Sequence, residues 1–505
     1  MPFTPERGAP TPPIALADAS AVNARLTAAN VEVTDDFVRR LGDVCSEVST
    51  DAAILGESSR DWWPLAMHWA LEQAVPALAG AVARPSGADE VAAVLRLCST
   101  AKVPVTVAAG RSGVCGASIP VHGGVVLDLC RLDGIVDVDD TSLVVDVRAG
   151  MFGDVFEDTL RSDYGVTCGH WPQSIALSTV GGWLACRGAG QLSTRYGKIE
   201  DIVTGLDVVL ADGRTIHTGG APRAAVGPDL TQLFVGSEGT LGVITGARLR
   251  AHRVPTSTTR AAYGFASFVD GLDACRRILQ RGATPAVLRL YDSIEAHRSY
   301  QTGDLAVLLM MDESDALITA ATHAITQQEC AGAEILDSAL LDTWLEHRND
   351  VSALEALTRR GVVVDTMEIA GRWRDLPRIY ERTRDAILAV DGALVASAHQ
   401  SHSYTDGACL YFTFAGRLPD DANTTEAKDR YYRDVWDVAT HLVLAAGGAL
   451  SHHHGVGLNR SRFVREALGS GFDVLVTAKQ ALDPNGILNP GKLGLPDPFG
   501  AVAWP

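Results

Sequence analysis

The chain has 505 residues, 47% of them hydrophobic and 21% charged: too long for one core and long enough for two, because single cores stop growing near ~250–300 residues. Its formal net charge of −18, from 43 basic and 61 acidic residues, argues against nucleic acid or an anionic membrane as the main partner and leaves room for a local basic pocket. The opening MPFTPERGAPTPP lacks the basic start and apolar stretch of a secretory leader, and the longest apolar runs, such as Leu305–Met311, fall far short of the ~18 residues of a membrane span. Nine cysteines without a C-x-x-C pair read as reduced, mostly buried thiols. A cytoplasmic enzyme is expected, with no nucleic-acid partner and no integral membrane span.

Along the chain, residues 1–14 are Pro-rich and expected to be disordered. Residues 15–80 look helical and irregular, with Trp62, Trp63 and Trp69 available to pack against something larger. The segment Ala88–Ala101 places Val91, Leu95 and Cys98 at helical spacing, and strand-like runs follow at Val103–Val107, Val125–Leu129 and Leu143–Val147. A further run, Leu206–Leu210, ends in the turn signal Asp212-Gly213 before Arg214–His217. Helix and strand punctuated by glycine indicate an α+β domain. Ala251–Thr259, with Pro255 and a Ser/Thr cluster, is a candidate boundary. Beyond it, strands are expected at Ala286–Tyr291, Leu305–Met311 and Ala408–Phe414, and helices over Thr424–Ala446 and Arg460–Leu482.

Three segments of the first domain are rich in glycine and small residues. They are Val107-Ala-Ala-Gly-Arg-Ser-Gly-Val-Cys-Gly-Ala117, Pro172 to Trp183 with its continuation Cys186–Asp201, and Gly236-Ser-Glu-Gly-Thr-Leu-Gly-Val-Ile-Thr245. Glycine lets backbone N–H groups approach an anion closely, and successive N–H groups can form a nest around a pyrophosphate. Each segment alone reads equally well as a turn, and the first lacks the G-x-G-x-x-G spacing of a Rossmann site. In the second half, Ser451-His-His-His-Gly-Val-Gly457 stands out. Three consecutive residues of an extended chain alternate sides, so at most His452 and His454 share a face and His453 points away. No metal is expected there. Imidazoles between flexible glycines suit proton transfer near neutral pH. On the strand around Asp406–Phe412, alternation places Cys409, Tyr411 and Thr413 on one face.

Taken in order and spacing, these segments resemble the FAD-binding domain of the vanillyl-alcohol-oxidase and p-cresol-methylhydroxylase (PCMH) superfamily, and most closely the alkylglycerone-phosphate synthases. The patterns S-T-V-G-G-W, T-R-A-S, Y-G-x-I-E-D, E-G-T-L-G-V-I and S-H-H-H-G-V-G are nearly reproduced, over residues ~80–495. The resemblance implies an α+β, two-domain protein. A helical extension over 1–80 would precede a PCMH-type FAD-binding domain over 81–252 and an FAD-linked-oxidase-like substrate cap over 253–505. It implies noncovalent FAD on Val107, Ala108, Ala109, Gly110, Arg111, Ser112 and Gly113; on Gln173, Ser174, Ile175, Ala176, Leu177, Ser178 and Thr179; on Cys186, Arg187, Gly188 and Ala189; and on Glu238, Gly239, Thr240, Leu241, Gly242, Val243 and Ile244. His170 and Cys115 lie close enough in sequence to be considered for covalent attachment. Arg111 departs from the synthases' glycine and either pairs with a phosphate or points outward.

For the second domain the resemblance implies Tyr411 as acid/base, assisted by His452, His453 and His454, with Arg289 as a further functional residue. The implied reaction exchanges an acyl for an alkyl group on a dihydroxyacetone-phosphate-like substrate, as in ether-lipid synthesis. One departure concerns the phosphate. Where the synthases carry arginine fourteen residues before the position of Glu368, this chain has Leu354, and Arg359 or Arg360 either compensates or is simply solvated. A second reading is therefore an FAD-linked dehydrogenase of a 2-hydroxy acid such as lactate or glycolate; a nonenzymatic flavin-binding protein is a third. The partner is a small-molecule or lipid-like substrate, and a homodimer is allowed.

Overall fold

A computed structural model of the chain describes residues 12–26, 28–350, 352–419 and 421–503. Most of the Pro-rich start, residues 1–11, lies outside the described residues, while Ile14 is fully buried and its carbonyl accepts from the Arg60 guanidinium at 2.6 Å. The first domain is built on two main sheets, beside two short two-stranded ones. In the smaller main sheet, strands Val48–Ser49, Ala81–Ala83, Val125–Asp128 and Val105–Ala108 lie side by side in that order. The last three run parallel, as expected where a helix, Ala88–Ala101, makes the crossover. Asp89 and Glu90 in its first turn complement the helix dipole, and the spacing that suggested the helix buries Val91, Leu95 and Cys98. The larger sheet is antiparallel, in the order Thr215–His217, Val203–Val209, Val243–Arg250, Val144–Arg148 and Ile135–Asp139.

The second domain is built on a seven-stranded antiparallel sheet. Its order is Glu334–Leu336, Ser257–Phe265, Ala306–Ser314, Val287–Tyr291, Ala393–Ser403, Gly407–Gly416 and Val363–Arg372. Strand alternation divides its side chains. Leu288, Leu290, Leu308, Met310, Leu410, Phe412 and Phe414 join one core with Leu272, Ile379, Tyr432 and Trp436 of the helices Phe268–Gln280, Leu376–Leu388 and Thr425–Ala445. Arg289, Tyr291, Tyr411 and Thr413 line a cavity instead. The helix expected over Thr424–Ala446 forms with Thr424 as its N-cap.

Three features differ from the sequence reading or extend it. The single helix expected over Arg460–Leu482 is broken: Gly469 has φ +54° and ends a short helix, Val464–Leu468, before a new one, Gly471–Leu482. Trp63 and Trp69 pack against the second domain, their indoles donating to the Tyr432 hydroxyl at 3.0 Å and to Asp429 at 2.8 Å. The end of the chain returns to the first domain, where Ile487 and Leu488 enter the core of the smaller sheet and Asn489 N–H donates to the Val105 carbonyl. Among the described residues no helix is long and apolar enough to cross a membrane.

Candidate active site

A cavity of about 980 Å³ is walled by the glycine-rich segments and by the second domain's sheet. Residues 107–113 line it throughout, as do Gln173, Ser174, Leu177, Ser178 and Thr179, then Cys186, Gly188 and Ala189, and finally Glu238, Gly239, Gly242 and Ile244. Ile175, Leu241 and Val243 are in the cores beneath, Arg187 pairs with Glu200 at 3.2 Å, and the Thr240 hydroxyl donates to the Ser237 carbonyl. Those five and Ala176 are not in the wall. Ser178 and Thr179 are partly engaged in shaping their own loop: Ser178 Oγ donates to the Ser174 carbonyl and accepts from the Trp183 indole, and Thr179 accepts from Gly182 N–H. Arg111 is no outward surface charge; its side chain is 9% exposed, 3.7 Å from Asp128.

The three histidines do not form a strand. Their segment bends around the buried carboxylate of Glu368, whose Oε1 accepts from the Ser451 hydroxyl at 2.6 Å and from the N–H groups of His452, His453 and His454 at 3.2, 3.0 and 2.7 Å. Arg460, also fully buried, donates to the other oxygen. Burial raises the Glu368 pKa, but Arg460, His454 and the Ser451 hydrogen bond hold it well below the usual carboxylate range. From the first domain, Glu238 takes the next N–H groups, Val456 at 2.5 Å and Gly457 at 2.9 Å. Here glycine is required: Gly455 has φ +81° and a Cβ would lie 2.4 Å from Glu238 Oε1, while at Gly457, φ +54°, it would lie 2.1 Å from the Cys115 carbonyl. The bend is thus clamped by one carboxylate from each domain. Glu238, expected to face FAD, spends its carboxylate on this clamp.

This geometry overturns the expected sidedness. His453 and His454 line the cavity, whereas His452 is buried behind it, with its Nε2 2.9 Å from the Tyr404 hydroxyl and its carbonyl accepting from Lys198. His452 and His453 bring their Nδ1 atoms to 2.8 Å, a contact that needs one proton between them. His402 joins them, so that three ring donors lie within 4.8 Å of one another, a group able to share protons or to hold a metal ion. Burial pushes the pKa values of all three well down, leaving neutral imidazoles.

Tyr411 stacks on His399 with ring centroids 4.8 Å apart and meets His454 edge-on at 5.5 Å. Burial raises its pKa, so it keeps its proton. Arg289 donates to the Tyr291 hydroxyl and lies 2.9 Å from His399 Nε2, whose Nδ1 meets Glu295 at 2.7 Å. Sequence reading missed His399 and His402, because a spacing of three places them on opposite faces of a regular strand. A bulge between Gln400 and His402 turns both to the cavity. It also missed Glu368 and Arg460, since a buried ion pair between distant segments leaves no local signal. Leu354 lines the cavity within an apolar cluster with Trp62, Val114 and Leu177. Arg359, exposed and paired with Glu355, and Arg360, also exposed, do not compensate for it.

A wall of glycine-rich loops facing a sheet that carries tyrosine and histidines defines a two-domain flavoenzyme. The comparisons agree. Residues 79–219 match the family model of an FAD binding domain, and residues 254–493 that of the FAD linked oxidases' C-terminal domain. The chain is 31% identical over 466 residues to the uncharacterized FAD-linked oxidoreductase YgcU of Escherichia coli, covering 88% of this chain and 95% of the relative. It is 27% identical over 450 residues to the alkyldihydroxyacetonephosphate synthase of Dictyostelium discoideum, covering 81% and 72%. A solved alkyldihydroxyacetonephosphate synthase shares the fold with a TM-score of 0.75 at 22% identity, over 97% of this chain and 90% of the other. Substrate-bound p-cresol methylhydroxylase does so with 0.72 at 16%, over 93% and 99%. The chain belongs to the FAD-linked oxidoreductases and is an FAD-dependent enzyme.

The residues present fit that cofactor. The cavity is at the upper end of the ~300–1,000 Å³ usual for ligand sites, as an extended dinucleotide with a substrate beside it requires. Both ring nitrogens of His170 are buried in its wall without a hydrogen-bond partner among the described residues, and burial pushes the pKa of that ring down to about 3. Burial also holds the Cys115 thiol well above its usual pKa.

Proposed function

We propose that the enzyme exchanges an acyl for an alkyl group on a dihydroxyacetone-phosphate-like substrate. The observation that carries this reading is the convergence of Tyr411, His453 and His454 on one cavity wall, on a bend held rigid by Glu368 and Glu238. FAD, held noncovalently by the glycine-rich wall, supplies an electron-accepting centre for the substrate carbon. In the exchange the substrate C–O bond to the acyl group breaks and the acid leaves as a carboxylate, while the alcohol oxygen bonds to the same carbon. The neutral imidazole of His453 or His454 would take the proton the alcohol loses, and protonated Tyr411 would donate a hydrogen bond to the departing carboxylate. Similarity to the Dictyostelium synthase supports the reaction class. The described cysteines are all unpaired, which supports a cytoplasmic setting.

A second reading, dehydrogenation of a 2-hydroxy acid, is favoured by one observation: Leu354 supplies no charge where the synthases carry arginine. An anaerobic substrate screen separates the two. Exchange gives alkylated product by mass with the flavin spectrum oxidised at the end of turnover, while dehydrogenation bleaches it stoichiometrically. Activity on neither class would defeat both readings. Flavin that stays with the chain after acid precipitation would refute noncovalent binding.

A further inference from the structure

Arg348 caps the C-terminal end of the helix Leu340–His347 and lines the cavity. Its guanidinium lies 5.4 Å from the ring centroid of Trp344, one turn earlier, and 5.7 Å from that of Trp171 in the first domain. Both distances are within cation–π range, and such contacts leave the guanidinium's N–H donors free to bond. The backbone of Arg348 is engaged, its carbonyl accepting from Gln191 Nε2 at 3.3 Å. The guanidinium has no hydrogen-bond acceptor and no carboxylate at ion-pair distance among the described residues. Burial lowers its pKa, with Glu313 only partly offsetting this: the charge is under-compensated where it stands.

The other arginines of the wall each have a partner nearby, although Arg111 Nη1 makes no hydrogen bond among the described residues. Arg289 is bonded to Tyr291 and His399, Arg298 lies 3.6 Å from Glu295, and Arg111 lies 3.7 Å from Asp128. A second observation at the same place points to a ligand. Gln191, whose amide nitrogen reaches the Arg348 backbone, has its Oε1, an acceptor suited to a ligand hydroxyl beside the anion, buried without a hydrogen-bond partner among the described residues, as are both ring nitrogens of His170, the neighbour of Trp171.

We propose that Arg348 is the anion receptor of this cavity. It takes the oxyanion of a substrate, carboxylate or phosphate, in a two-point pair, and so restricts the enzyme to anionic substrates despite Leu354. This rests on the reading of the cavity as a substrate site. A planar guanidinium with two indoles in cation–π range can take an oxyanion in a two-point pair, whereas a lysine would present only a point charge.

The test uses FAD-loaded protein titrated with inorganic phosphate and with oxalate, and with glycerol as neutral control, at constant ionic strength. Binding is read by flavin difference absorbance and by calorimetry. At least one anion is expected to bind wild type saturably, and at least 10-fold more weakly to Arg348→Leu at unchanged FAD content. Arg348→Lys, which keeps charge and stem, should lose part of the affinity; should the leucine variant fail to hold FAD, the lysine variant decides. Phosphate alone binding assigns a phosphorylated substrate, and oxalate alone a carboxylate. Absence of binding to wild type, or equal binding to wild type and the variants, overturns the receptor. Wild type that binds the anion yet turns over neither substrate class overturns the functional reading and leaves the receptor standing.

Discussion

Replacing Glu368 by glutamine is expected to destabilise the protein and to disorganise the site together. Glu368 and Arg460 have no exposure, and the guanidinium is enclosed further by Trp436, 4.8 Å from its ring centroid. Removing one partner of a buried ion pair leaves the other charge uncompensated, at a cost of ~3–5 kcal/mol. At ~2–4 °C per kcal/mol for cores of 150–250 residues, the Tm should fall by about 10 °C. Removing both charges, Glu368→Gln with Arg460→Met, should recover at least half of that loss, because the penalty lies in the unpaired charge rather than in the missing attraction. The pH dependence has a defined sign. Since the folded pKa of Glu368 is held down, its contribution is present above the ordinary carboxylate pKa of ~4.3 and is lost as pH falls below it. Melting curves of wild type, single and double variants from pH 3 to 8, followed by circular dichroism, supply the comparison. A single variant within ~1 kcal/mol of wild type, or a double variant less stable than the single, would refute the reasoning.

Tyr411→Phe should leave bound FAD unchanged and lower turnover on the order of 10²–10⁴-fold, the range for a lost acid/base group; unchanged turnover removes Tyr411 from the chemistry. His453→Ala and His454→Ala, which change groups in the cavity wall, should cut turnover more than His452→Ala does. His452→Ala should mainly shift the pH profile, by freeing His453 Nδ1 from its 2.8 Å partner; identical profiles would rule out that coupling. His68, buried and with its pKa lowered to about 4, binds more protons when unfolded. Its contribution is complete above pH ~6.5 and is lost as pH falls toward 4, about 2 kcal/mol between pH 6.5 and 5. His68→Leu should therefore lose less stability over that interval than wild type, and parallel pH curves would contradict the assignment.

The helix Ala88–Ala101, the strands of both domains and the facing of Tyr411 and Arg289 are local matters. Apolar spacing of 3.6 or 2 residues selects the element and decides which face is buried, and an 11-residue window of sequence contains it. The same arithmetic failed at the histidines for a physical reason. His452–His454 obey neither period, because their backbone N–H groups are drawn to a single carboxylate, Glu368, more than 80 residues earlier in the chain, while Glu238 of the other domain takes the next N–H groups. His399 and His402 reach one face only through a bulge, and folding alone brings Trp171 of the first domain to the Arg348 guanidinium, which also lies by Trp344. The sequence by itself determined the two-domain α+β architecture and the glycine-rich segments, since their causes are the propensities and periodicities of neighbouring residues. Tertiary structure alone decided which histidines face the cavity and which arginine is left without a counter-ion, because burial and charge compensation are set by segments that folding brings together.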